Sequence, residues 1–244
     1  MLPVVNIGPF ALYTPGLIFL LGSWLIVQAV RRAAFTQGLD GERMEIIVVI
    51  VLVSGIIGAR VGYALAAWPA YVNDPWAFLS RDLQAFSLPY GIVTGVIVGS
   101  WQLWRQRWPP WVVLDTLAPG VALAALTYAL MQFASGDGYG LPSTVPWAIP
   151  LWGEYRHPTQ LYAALTALIA LIVWRKNYRK PQPAGSLFLN VCAILAAGTL
   201  IGNGFSAADW LLPGRVRASQ VIALAVLILI IWVRPKITLQ PKIQ

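Results

Sequence analysis

Charge is what this chain has least of. Asp, Glu, Lys and Arg make up 11% of its 244 residues, while 58% are hydrophobic. An ordinary soluble domain carries about 25% charged residues, and a mean hydropathy of +0.69 leaves too much apolar material for one aqueous core. Cysteine and histidine are nearly missing too, with one of each, Cys192 and His157. One cysteine excludes an intrachain disulfide, and the pair excludes a structural Cys/His zinc site, so neither metal nor other cofactor is expected. No Gly-x-Ser-x-Gly frames a serine and no P-loop is present, which argues against an elbow-type hydrolase and an NTPase. The net charge of +8 comes from short basic clusters beside apolar runs rather than from a basic face, so nucleic acid is not an expected partner.

What remains is a series of long apolar runs. They lie at approximately Phe10–Val30, Glu45–Ala67, Tyr90–Trp104, Val112–Phe133, Pro158–Trp174, Gly185–Asn203 and Ala218–Val233. A bilayer core of roughly 30 Å takes about 20 mostly apolar residues per helix, so the pattern predicts an all-α integral membrane protein, a bundle of about seven transmembrane helices forming a single domain over residues 1–244. The first run lacks a preceding basic residue and is followed by Arg31-Arg32, the reverse of a secretory signal, and no lipidation motif is evident at either end. Alternating the connections puts Arg31, Arg32, Arg43, Arg105, Arg107, Arg175, Lys176, Arg179, Lys180, Arg234, Lys236 and Lys242 on one side. Only Arg81, Arg156, Arg215 and Arg217 fall on the other. The basic-rich side is then cytoplasmic, with the N-terminus outside and the C-terminus inside. The longer connections lie outside, where Trp68, Trp76, Trp147, Trp152 and Trp210 read as an interfacial aromatic belt.

Few polar residues interrupt the runs. Arg60 lies two-thirds along the second, and an unpaired charge there would cost at least a few kcal/mol. Two readings stand: a snorkelling arginine or one paired with Asp74, Asp82 or Asp137, and a clamp for a lipid phosphate with Tyr63 beside it at i+3. His157 precedes Pro158 at the start of the fifth run, either as a capping residue or as a general base. Asp115, near the start of the fourth run, reads as a carboxylate complementing its own helix N-terminus.

Taken together these residues resemble the prolipoprotein diacylglyceryl transferase family of bacterial inner membranes. The likeness rests on Ile7-Gly8-Pro9-Phe10, Gly58-Ala59-Arg60-Val61-Gly62-Tyr63, Asn73-Asp74-Pro75, Asp115-x-x-Ala118-Pro119, His157-Pro158-Thr159-Gln160-Leu161-Tyr162 and Ser219-Gln220. The resemblance implies transfer of a diacylglyceryl group from phosphatidylglycerol to a lipobox cysteine thiol, with a prolipoprotein signal peptide, or other membrane subunits, as protein partners. It implies His157 as the catalytic base and Arg60, Tyr63, Arg156, Gln160 and Gly140 as lipid or phosphate contacts. Asp115, Gln132, Phe133, Gly136, Asp137 and Tyr162 are remnants of motifs.

The chain departs from the family where charge matters. Pro89-Tyr90-Gly91 stands where the family has His-Gly-Gly. In the signature loop, Tyr128 to Gly140, Ala129 replaces an arginine, Gln132 and Ser135 replace asparagines and Asp137 replaces a glutamate. The family's arginine in the sixth helix has no counterpart, since Pro181 to Gly214 contains neither Arg nor Lys. Thr14-Pro15-Gly16 stands in place of a family tyrosine near the first helix. Neutral residues cannot restore bidentate arginine contacts to a phosphate, so the alternative to a transferase is an inactive relative that binds lipid or serves as an interaction subunit. The charge bias makes one expectation independent of chemistry: a reporter fused after Gln244 should be active only as a cytoplasmic fusion, and activity confined to the outer side would contradict this topology.

Overall fold

A computed structural model describes residues 4–7, 10–73, 76, 78, 85–207, 211–213 and 216–238. Gly8, Pro9, Asp74, Pro75, Arg81, Asp82, Trp210, Gly214, Arg215 and Lys242 lie outside the described residues. In chain order the elements begin with a hairpin, β1 (Val4–Ile7) and β2 (Phe10–Tyr13), then helices α1 (Thr14–Thr36) and α2 (Gly41–Ala66), a short helix α3 (Trp68–Asn73), α4 (Leu88–Gln106) and α5 (Pro110–Ser135). A second hairpin, β3 (Ile149–Leu151) and β4 (Glu154–Arg156), leads to α6 (Thr159–Asn177) and α7 (Ser186–Gly202). A 3-10 turn, Asn203–Phe205, and a hairpin of β5 (Leu211–Leu212) and β6 (Val216–Arg217) precede α8 (Ala218–Thr238).

Each apolar run coincides with one long helix, and the described residues are predominantly helical. Among the described residues four helical segments are long and apolar enough to cross a membrane: α1, α2, α5 and Ser186–Phe205. The architecture is that of an α-helical membrane protein. Two details differ from the sequence reading. Phe10–Tyr13 is strand rather than helix, because Pro15 sits in the first turn of α1, the position that tolerates a missing amide. Three small antiparallel hairpins are added to the all-α plan, since connections between helices must pair their own backbone groups.

The chain divides into two compact units, Met1–Gln37 with Pro110–Gln244, and Gly38–Pro109. In the first, α1 and α6 pack against α5, while α7 packs against α5, α6 and α8. In the second, α2 packs along α4. The same device recurs in both. A Cβ added at Gly22 would overlap Thr127 across α1 and α5, one at Gly58 would overlap Thr94 across α2 and α4, and one at Gly198 would overlap Thr166 across α7 and α6. A glycine facing a threonine lets two backbones approach closely, which is how helices gain contact energy where lipid offers no hydrophobic contrast.

Asp115 does not serve its own helix. It lies in the second turn of α5, 4% exposed, and its carboxylate accepts the amides of Gly185 at 2.6 Å and Phe188 at 2.8 Å. Those are the N-cap and third residue of α7, whose cap is a glycine at φ 92 with no side chain to offer. The acid is thus an N-cap donated from a neighbouring helix, satisfying two orphan amides and the positive helix end. Asp115→Asn keeps one acceptor but presents an amide N–H to the other donor. It should cost about 2 kcal/mol, read as a fall of several degrees in the unfolding midpoint in detergent. An unchanged midpoint would contradict this role.

Candidate functional site

The residues brought together most closely lie at the N-terminal end of α6, all within the first unit. Trp152 at φ 56 and Gly153 at φ 83 form the two-residue turn between β3 and β4. Paired left-handed residues match the twist of a hairpin, so the turn fixes the register that ends β4 on Arg156. His157 follows, and Pro158, rather than the histidine, is the N-cap of α6.

The motif around His157 holds the loop after α5. Thr159 donates to the Gly138 carbonyl at 2.6 Å, and Gln160, 1% exposed, donates through Nε2 to the Asp137 carbonyl at 2.6 Å. The Gly140 amide donates to the His157 carbonyl at 3.1 Å, and the His157 amide to the Leu141 carbonyl at 3.0 Å. Gly138 takes φ 62 and lies against the Gln132 carboxamide, which also donates to the Tyr128 hydroxyl. Ser135 Oγ donates to the Gln132 carbonyl and accepts the Asp137 amide. Gly136 at φ 84 is buried, Phe133 is half-buried at the end of α5, and Asp137 is exposed.

His157 is itself held from two sides. Its Nδ1 is 3.1 Å from the Tyr162 hydroxyl, which accepts a hydrogen bond from Trp147 Nε1 at 2.7 Å. Its ring lies 4.8 Å from that of Phe205. When Nδ1–H donates to Tyr162, Nε2 is left as the proton acceptor, the arrangement a general base needs. Arg156, next in chain, pairs with Glu154 at 2.6 Å and donates to the Gly140 carbonyl at 3.4 Å, with its guanidinium 5.2 Å from the Tyr139 ring. Its Nε is buried and without a partner among the described residues, as is Gln160 Oε1. Arg217, from β6, donates to the Ser206 carbonyl at 2.7 Å, and Ser206 bridges to Gly140.

Arg60 and Tyr63 belong to the second unit. Arg60 is 8% exposed and donates to the carbonyls of Phe78, at 3.1 and 2.9 Å, and Ala85, at 3.0 Å; its guanidinium also lies 5.3 Å from the Phe86 ring. The guanidinium is thus buried among these carbonyls, while Asp74 and Asp82 lie outside the described residues. Tyr63 is half-buried one turn further along α2.

Sequence reasoning missed Phe205 and Trp147 as parts of this arrangement, and it placed Arg217 only on the outer side and Thr159 only within the His157 motif. Phe205 and Arg217 come from distant segments and carry no local motif. Trp147 read as belt, yet its indole N–H supports Tyr162. Gly140 and Gly153 predict different costs. At Gly140 a Cβ would overlap the His157 carbonyl oxygen and lie 2.9 Å from that of Phe205, whereas at Gly153 it meets open space. Gly153→Ala should cost about 1 kcal/mol for its left-handed backbone alone. Gly140→Ala should lower the unfolding midpoint further, because two backbone segments must part; equal midpoints for the two variants would refute this packing.

The family model for prolipoprotein diacylglyceryl transferase matches residues 3–234. The chain is similar to the phosphatidylglycerol–prolipoprotein diacylglyceryl transferase of Methylococcus capsulatus, 29% identical over 243 residues, covering 92% of each chain. It is likewise similar to the proteins of that name from Bordetella parapertussis, 29% identical with 83% of this chain and 88% of that one covered, and from Staphylococcus aureus, 23% identical with 92% and 84% covered.

Proposed function

The chain belongs to the prolipoprotein diacylglyceryl transferase family, and from that premise we propose that it is a transferase of weakened activity in the bacterial inner membrane. Its donor is phosphatidylglycerol and its acceptor the lipobox cysteine of a prolipoprotein. The chain crosses the bilayer seven times as a single domain, with the N-terminus outside and the C-terminus in the cytoplasm, which sets the His157 end of α6 on the outer face.

One observation supports the transfer reading: Arg156 and His157 are consecutive, so a cation for the phosphate and a base for the thiol stand on one short connection. In the reaction a sulfur–carbon bond forms as the glyceryl carbon–oxygen bond to phosphate breaks. His157 Nε2 takes the thiol proton, and glycerol phosphate leaves as an anion. Arg156, with its unpartnered Nε, meets the developing charge, and Tyr162 positions the imidazole. Gln160 and Gly140 shape the loop over which the headgroup lies. Arg60 contributes by holding its own connection, with Tyr63 beside it at the lipid.

The activity is weak for an electrostatic reason. The family arginines missing at Ala129 and in the stretch from Pro181 to Gly214, which holds no Arg or Lys, each remove a transition-state donor. One such donor is worth about 10²–10³ in rate, so two missing ones leave roughly 10⁴–10⁶ less. A second reading, a lipid-binding or interaction subunit without transfer, is favoured by a separate observation: Arg60 and Arg217 already donate to backbone carbonyls, and Arg156 shares a carboxylate.

Expressed alone in a strain depleted of its own transferase, the chain should leave a reporter prolipoprotein unmodified. Robust thioether formation, abolished by His157→Ala or Arg156→Ala, would overturn the argument from missing charge. With purified protein in phosphatidylglycerol vesicles and a lipobox peptide, trace release of glycerol phosphate lost in His157→Ala supports transfer. Retention of lipid with no release supports the second reading.

A further inference from the structure

Three arginines at the other end of α6 from His157 take no part in the site described above. α1 and α6 both pack on α5, and between their C-terminal ends they leave a groove of about 560 Å³ with largely apolar walls. Arg32 lines it from α1, and Arg175 and Arg179 from α6 and the turn after it. Tyr178 organises the two: Arg175 donates to its hydroxyl, and both guanidinium groups lie over its ring, at 5.1 and 5.2 Å. Tyr178 in turn stacks on Trp174, another residue lining the groove, with centroids 5.0 Å apart, and Trp174 Nε1 is buried without a partner among the described residues.

Charge here is uncompensated. Among the described residues no carboxylate pairs with Arg32, Arg175 or Arg179. Three cations around one cavity repel each other, and an anion seated among them removes that cost. The surrounding surface says what kind of anion. Counting back by helical steps from Arg175, the exposed residues Ile172, Leu168 and Leu165 run toward the middle of α6, and from Arg32 the exposed Leu25 and Leu21 run toward the middle of α1. A basic mouth continued by two apolar stripes has the polarity of a phospholipid, cations at the headgroup and side chains along the acyl chain.

We propose that this groove binds the headgroup of an anionic phospholipid, its phosphate among Arg32, Arg175 and Arg179 and its acyl chain along the α1 and α6 stripes. The site is separate from the donor site at His157. It rests on the membrane-spanning reading of these helices and not on transfer activity. On the topology above it faces the cytoplasmic leaflet, so the helix ends are anchored in one leaflet while the reaction end works in the other.

The test is lipid retention by the full chain, purified in a neutral detergent and measured by native mass spectrometry in the Arg156→Gln background, so that the outer site contributes little. Phosphatidylglycerol should be retained and phosphatidylcholine not. The triple variant Arg32→Gln/Arg175→Gln/Arg179→Gln should lose at least about tenfold in retention, since charge-assisted contacts to phosphate are lost together. The triple Arg→Lys variant, which keeps the charge and guards against misfolding, should retain most of it. Equal retention by wild type and the triple Gln variant would overturn the proposal. So would displacement of the lipid by equimolar inorganic phosphate or glycerol phosphate, which would make this a site for a free anion.

Discussion

A polar group among these helices has no water to turn to, and nearly every distinctive contact follows from that constraint. The Asp115 carboxylate takes two amides from the start of α7, the Arg60 guanidinium takes carbonyls on either side of a long connection, and Thr159 and Gln160 take carbonyls of the loop after α5. In each case a side chain supplies what the backbone lacks where regular structure stops. The polar residues therefore sit at helix ends and loop crossings, and the helix interiors are left to small and apolar side chains.

Close packing completes the frame. Facing glycine and threonine let α1 approach α5 and α7 approach α6 closely, while α6 packs against α5 as well. With α6 fixed, its two ends acquire different characters. The N-terminal end carries the clamped loop, His157 and Arg156; the C-terminal end carries an open basic groove. One helix thus relates two polar regions separated by its own length of 19 residues, about 28 Å at the rise of an α-helix.

The tension in this protein is between fold and charge. The family match spans residues 3–234, while the stretch from Pro181 to Gly214 holds neither Arg nor Lys. Arg156, by contrast, is held at the end of β4 by its pairing with Ile149 and by Glu154.

The sequence by itself determined the helices and pointed to the family. Among the described residues each apolar run falls on one long helix, because scarce charge and long apolar stretches leave few alternatives, and the His157 to Tyr162 motif pointed to the loop region. Tertiary structure alone decided what those residues touch. Asp115 looked like a cap for its own helix but serves α7, because the acceptor α7 needs is missing from Gly185, 70 residues away. Gln160, which the resemblance implied as a lipid contact, also holds a loop carbonyl through its Nε2. Phe205 and Arg217 came to the histidine region from segments with no local signal. Periodicity reports what is near in sequence, whereas a satisfied polar group in an apolar bundle depends on which distant backbone ends beside it.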